Sequence, residues 1–169
     1  MVGDTFNNIM KGKPLGKSCV FFGHRWLAFK VEERNLLKKA IIDLITKENV
    51  EDFVFGGYGD FDSIAFEVVS EIKKDYPKIR RILALAYIPR YQADMDRLNL
   101  IYEHVYLPEG TEVGPQKFAI TRRNRILAKE CDFMICYVLS NSGGAYSAMH
   151  TAQVNNKKVI NLAKNFLGE

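Results

Sequence analysis

The sequence predicts an α/β fold: one doubly wound domain with a mostly parallel sheet and helices on both faces. Three observations carry this expectation. Short apolar runs alternate with segments of helical periodicity along the chain, which is the signature of successive βαβ units. Several of those runs, "FMICYVL" at 133–139 among them, lack polar alternation, as strands buried on both faces require. Three runs end in glycine-bearing segments, "FGHR" at 22–25, "FGGYGDFD" at 55–62 and "SNSGGAYS" at 140–147, where the chain leaves a strand to enter a helix.

Taken in order, residues 1–17 mix Gly, Asn, Lys and Pro without periodicity, so a flexible arm is expected, followed by one domain over 18–169. "SCVFFG" is a β-branched and aromatic run stopped by Gly23. Val31, Leu36, Leu37, Ala40, Ile41, Leu44 and Ile45 fall at helical spacing, with charges on the opposite face. "EDFVF" repeats the strand pattern, and "FDSIAFEVVSEIKKDYP" is the helix after it. "IRRILALAYIP" is a third strand, ended by Pro89. "YQADMDRLNLIYEHV" reads as helix then loop, and "HVYLPEGTEVG" as a short strand and a Gly/Pro turn. "PQKFAITRRNRILAKECD" is a helix with Pro115 at its entry. After "FMICYVL", "GGAYSAMHTAQVNN" is a helix and "KKVINLA" the last strand. Trp26 and Phe29 are expected to pack against the sheet. No linker or repeat divides the chain.

Composition narrows the function. The 169 residues carry 24 basic and 20 acidic side chains, a net charge of +4. So small an excess lacks the dense basic stripe of most nucleic-acid binders and argues against such a partner. Cys19, Cys131 and Cys136 lie in or beside apolar runs and read as buried hydrophobes of a reduced compartment. The first 18 residues hold no apolar stretch of the signal-peptide kind, and no run approaches the roughly 18 apolar residues of a membrane span. A cytoplasmic protein without membrane contact is expected. His104 and His150 make no zinc-like spacing with any cysteine, so no metal is expected, and no cofactor either.

Ligands of open α/β sheets settle outside the carboxyl ends of the strands. The candidate binding residues therefore come from the three glycine loops: Gly23, His24 and Arg25; Gly56, Gly57, Gly59, Asp60 and Asp62; Ser140, Asn141, Ser142, Gly143, Gly144, Tyr146 and Ser147. Glycine lets backbone N–H groups approach an anion, and the dipole of the following helix favours negative charge. Asp60, Asp62 and Glu67 suit ribose hydroxyls or acid–base work, while Asp62 equally suits a helix cap. Arg122 and Arg125, three apart, share a helix face and suit either a phosphate clamp or a solvated basic surface. His24 suits a pocket role or a satisfied loop histidine.

The same stretches carry a resemblance. "FFGHR" followed by "FGGYGDFDSIAFE" resembles the opening half of the Rossmann-like SLOG superfamily, and "ITRRNRILAKECDFMICYVLSNSGGAYSAMHTA" its closing half, over residues 18–163. The superfamily includes the DprA/Smf DNA-uptake proteins and the LOG phosphoribohydrolases; the most similar sub-group is the YpsA-like proteins. LOG enzymes place an Arg-bearing helix before a P-G-G-x-G-T-x-x-E loop. Here Arg122, Arg123 and Arg125 occupy that helix, and Gly143 and Gly144 match the first two glycines. Ser142, Tyr146 and Ser147 stand where Pro, the third Gly and Thr would be, and His150 replaces the Glu. Of the DprA pattern G-x-D-x-x-A, Asp62 and Ala65 are kept and Asp60 replaces the glycine.

The resemblance implies a module that binds a nucleotide or nucleotide-derived small molecule, as a sensor or by sequestration. The alternative is a LOG-like nucleoside monophosphate phosphoribohydrolase, in which Glu67 or Asp62 supplies the missing carboxylate. DNA binding in the manner of DprA is the third reading. LOG proteins are dimers, and the helices over 64–73 and 144–154 offer more apolar or small residues than one face requires. A homo-oligomer, most simply a dimer, is therefore expected.

Overall fold

The computed structural model describes residues 14, 16–25 and 27–163. The elements run β1 (Ser18–Gly23), α1 (Val31–Glu48), β2 (Asp52–Phe55), α2 (Asp60–Lys73), β3 (Arg80–Ala84), α3 (Gln92–Ile101), β4 (His104–Tyr106), a 3-10 turn (Gln116–Phe118), α4 (Ala119–Glu130), β5 (Phe133–Tyr137), α5 (Gly144–Val154) and β6 (Lys158–Asn161). They form one six-stranded sheet of order β4-β3-β2-β1-β5-β6. Every pairing is parallel, so "mostly parallel" becomes wholly parallel among the described residues. The chain steps outward from β1 to β4 and then returns to lay β5 against the other side of β1. That reversal makes the β1/β5 boundary the topological switch point of the sheet.

Register keeps each face uniform. Val20 lies opposite Val54 and Met134, and Val54 opposite Ile82, so these side chains share one face while their neighbours share the other. On the first face, Phe21, Phe53, Phe55 and Ile135 pack against Leu37, Ile41 and Leu44 of α1 and against Phe61, Ala65, Val68 and Ile72 of α2. Met95 of α3 extends that face over Leu83 and Val105. On the second face, Val20, Val54, Ile82 and Met134 meet Leu127 and Ala128 of α4 and Ala148, Met149 and Ala152 of α5. Each large side chain so buried contributes roughly 1.5–3 kcal/mol of transfer free energy.

Several expectations change in detail. The helix expected from Pro115 begins at Ala119, because Pro115 is extended (ψ 137) and starts a 3-10 turn instead. α1 stops where Asn49 turns left-handed at φ 59 and the Val50 N–H returns to the Leu44 carbonyl. Of the expected arm, residues 1–13 and 15 lie outside the described residues, as do Trp26 and residues 164–169. Gly16 and Lys17, by contrast, are hydrogen-bonded to the start of β2, Gly16 through its N–H to the buried Asp52 carboxylate. Asp52 also accepts two bonds from Arg80 at 2.7 and 2.9 Å, which locks the amino edge of the sheet.

The apolar surplus that prompted the dimer expectation is covered within the chain. Phe66, on the flank of α2, packs on Phe55 and Tyr102, while Ile64 and the rest of its apolar residues join the first core. Ala148, Met149 and Ala152 of α5 are buried against the second. Among the described residues, no helix is long and apolar enough to cross a membrane.

Candidate functional site

The loops after β1, β2 and β5 open together at the carboxyl edge of the sheet. With α4 they enclose a cleft of about 370 Å³ at the switch point. Its walls come from Gly23–Arg25, from Gly56, Tyr58, Gly59 and Asp62, from Ile120, Arg123 and Asn124, and from Ser142–Ala145. Sequence chemistry makes the convergence possible. A Cβ on Gly23 would stand 2.4–2.6 Å from the Phe61 side chain, so only glycine lets β1 end against α2. Gly143, at φ 95, turns the chain into α5 through a conformation that L side chains rarely adopt.

Hydrogen bonds lace the loops to one another. The His24 Nε2 accepts the Leu139 N–H at 2.9 Å, joining the β1 and β5 loops. Asp60 accepts the Leu27 N–H at 2.9 Å, and its own N–H donates to the Arg25 carbonyl at 3.0 Å. Asp62 accepts the N–H groups of Gly56 and Gly57 at 2.8 and 3.0 Å, clasping the β2 loop beneath the cleft.

The charges divide the cleft into two halves. At the α2 side the helix start already carries Asp60 and Asp62. Burial pushes the Asp62 carboxyl up to about 6, against the pull of its amide donors and of Arg123. At the α5 side the helix start has no side-chain cap and no acidic residue in its first turn. Ser147 makes the first intrahelical bond, to Gly143, leaving the N–H groups ahead of it aimed outward. Arg25 lines the same cleft from the β1 loop, beside Gly59, exposed and without a side-chain partner among the described residues. An uncapped dipole and an exposed guanidinium in one cleft favour an anion there.

The floor is Arg123. It is buried, and burial lowers its affinity for the proton. Nη1 donates to the carbonyls of Gly56 and Ala84 at 2.8 and 3.0 Å, and Nε and Nη2 both reach Asn124 Oδ1. Its Cζ lies 5.7 Å from the centre of the Tyr58 ring. Arg123 therefore ties the ends of β2 and β3 to α4 and holds a positive charge under the cleft.

Of the residues expected from sequence, Gly23, His24, Arg25, Gly56, Gly59, Asp62, Ser142, Gly143 and Gly144 line this cleft. Gly57 lines the neighbouring cleft beyond Tyr58. Asp60 stands behind the wall, engaged with the β1 loop. Ser147 and Arg125 face a smaller recess between α4 and α5. Ser140 and Asn141 are exposed ahead of Gly143, with the Ser140 hydroxyl on the Ser142 carbonyl. Tyr146 stacks on His150 at 6.1 Å.

Arg122 and Arg125 do not form the clamp that their spacing suggests. Arg122 spends its guanidinium on the carbonyls of Thr111, Gly114 and Pro115, pinning the loop before α4. Glu67 pairs with Arg34 on the surface of α1 and α2, outside the cleft. Sequence reasoning misses Tyr58, Ile120, Arg123 and Asn124. Arg123 had a signal: Ala119, Arg123 and Leu127 fall four apart on the buried stripe of α4.

No family model and no curated protein sequence matches the chain. Two of the solved structures that share its fold are DNA processing proteins. DNA processing protein A (DprA) from Streptococcus pneumoniae superposes with a TM-score of 0.57 at 19% identity, over 85% of this chain and 49% of that one. DprA from Helicobacter pylori gives 0.57 at 17% identity, over 89% of this chain and 71% of that one. The chain thus spans about half the length of the pneumococcal structure. The Helicobacter protein is described by its single-stranded DNA binding mode. That neighbour overturns the expectation against nucleic acid. Net charge sums the whole surface, whereas a strand of DNA meets only local charge and aromatic rings.

Proposed function

We propose that this chain binds a nucleotide unit through its phosphate, at the start of α5 and opposite Arg25, as a sensing or sequestering module rather than a hydrolase. One observation carries the reading. A single cleft at the switch point combines an uncapped helix start, free of acidic residues, with an exposed arginine that has no side-chain partner among the described residues. The ring of Tyr58 and the side chain of Ile120 offer apolar walls for sugar or base. The hydrolase reading has less support. His150 stands at the motif carboxylate, Glu67 is turned to Arg34, and Asp62, the one carboxylate among the cleft's lining residues, is held by two backbone amides.

The similarity of fold to the DprA structures favours a second reading, in which the nucleotide unit belongs to single-stranded DNA. Kinship with YpsA-like proteins agrees with the glycine loops and with the SLOG resemblance over 18–163, and we take 18–169 as one domain. Thermal unfolding in the presence of AMP, GMP, cyclic nucleotides and a short DNA strand tests the proposal. A ligand at 100 times its dissociation constant adds about 2.7 kcal/mol of stability. No stabilisation by any of them overturns it.

A further inference from the structure

A second cleft, of about 400 Å³, lies beside the first at the ends of β2 and β3. Gly56, Tyr58 and Arg123 belong to both clefts, so they meet along one shared wall. Each has the size of a small-ligand pocket, for which the range is roughly 300–1,000 Å³. The second cleft differs in chemistry. Its floor is apolar, from Leu83, Leu85 and Leu98, and its rim is aromatic. Tyr58 and Tyr87 are 47% and 43% exposed, unusual for large rings that have a core beside them. Their hydroxyls meet at 2.9 Å across the gap between the β2 and β3 loops. That bond orients both rings without burying them. Arg90 stands at the same rim with its guanidinium over Tyr91, another exposed ring.

Fixed, exposed aromatic faces next to arginine are what a nucleobase stacks upon. We infer that the ligand spans both clefts and is a dinucleotide unit, its phosphate end at α5 and its second base on the Tyr58–Tyr87 platform. The inference rests on the nucleotide reading above and narrows it: a mononucleotide fills only the first cleft. Tyr87 lines the second cleft alone, so it separates the two claims. The same chemistry is offered by a free dinucleotide and by two successive residues of a DNA strand.

Titration calorimetry decides, using deoxyadenosine monophosphate and the phosphorylated deoxyadenosine dinucleotide against the intact chain. The dinucleotide binds more tightly by roughly 5- to 150-fold, the worth of one stacked base. Tyr87→Ala removes that gain and leaves the mononucleotide within about twofold, whereas Tyr87→Phe keeps most of it because the ring remains. Equal affinity for the two ligands, or a Tyr87→Ala effect that weakens both alike, overturns the inference and leaves the nucleotide reading standing. Failure of both ligands to bind overturns the inference, and the nucleotide reading falls with it if the thermal-unfolding panel also shows no stabilisation. A deoxyadenosine strand of about ten residues separates the sources. Affinity at least equal to that of the dinucleotide assigns the unit to single-stranded DNA, and markedly weaker affinity assigns it to a free dinucleotide.

Discussion

Replacing Asp62 with Asn tests whether desolvation or hydrogen bonding governs the residue beneath the cleft. Two amide donors and the charge of Arg123 favour the ionised carboxylate; burial opposes it and prevails, raising the group from 3.8 to about 6. A shift of that size corresponds to about 3 kcal/mol between the two protonation states. Because the folded-state value is raised, the native protein holds this proton more tightly than the unfolded chain does. The resulting stability is present in full below about pH 4 and is lost as pH rises to about 6. Other groups slope the opposite way. Glu103, for example, is drawn below its ordinary value by Arg81, despite its burial. The informative quantity is therefore the difference between variant and wild type, followed by urea unfolding in small steps from pH 4 to pH 7. Asn also sets an NH2 against the Gly57 N–H, but that cost does not vary with pH. Relative to wild type, Asp62→Asn should gain about 3 kcal/mol across the window. A difference that stays constant would show that the amides and Arg123 cancel burial, and one that moves the other way that they outweigh it.

The arginines separate architecture from binding. Arg122→Ala, which frees the loop at 111–115, should cost about 1–3 kcal/mol in urea unfolding and leave nucleotide affinity unchanged. Arg25→Ala should do the reverse: stability within about 0.5 kcal/mol of wild type, and calorimetric affinity for AMP weaker by about tenfold. Gly143→Val places a β-branched residue at φ 95 and should cost about 1–3 kcal/mol in thermal unfolding, with loss of the phosphate contact at α5. Incubation with AMP should release no adenine above the uncatalysed background by chromatography, and Glu67→Gln should leave that result unchanged; release dependent on Glu67 would restore the hydrolase.

The strands and helices were legible because parallel sheets write their signature locally. "FMICYVL" needs no distant information to read as a strand covered on both sides, nor does the spacing of Leu37, Ile41 and Leu44 to read as a helix face. The three glycine loops were legible for a related reason, since alternation sends successive strand ends to one edge of a parallel sheet. The roles of individual side chains were not. Arg122 and Arg125 attracted a phosphate clamp through their spacing. What Arg122 does depends on three carbonyls at 111–115, whose position no local pattern records. Tyr58 and Tyr87 are 29 residues apart and meet only because β2 and β3 end side by side. Arg123 is the instructive case. It sits within the apolar stripe of its helix, where a charge conflicts with the pattern, and such conflicts are expected where function overrides packing. A lone arginine at a core position, on the helix that leads to the switch-point strand, is a stronger pointer to a site than paired arginines on an open face. The paired residues have water as an alternative. The buried one must have its hydrogen bonds supplied by the fold, here from Gly56, Ala84 and Asn124.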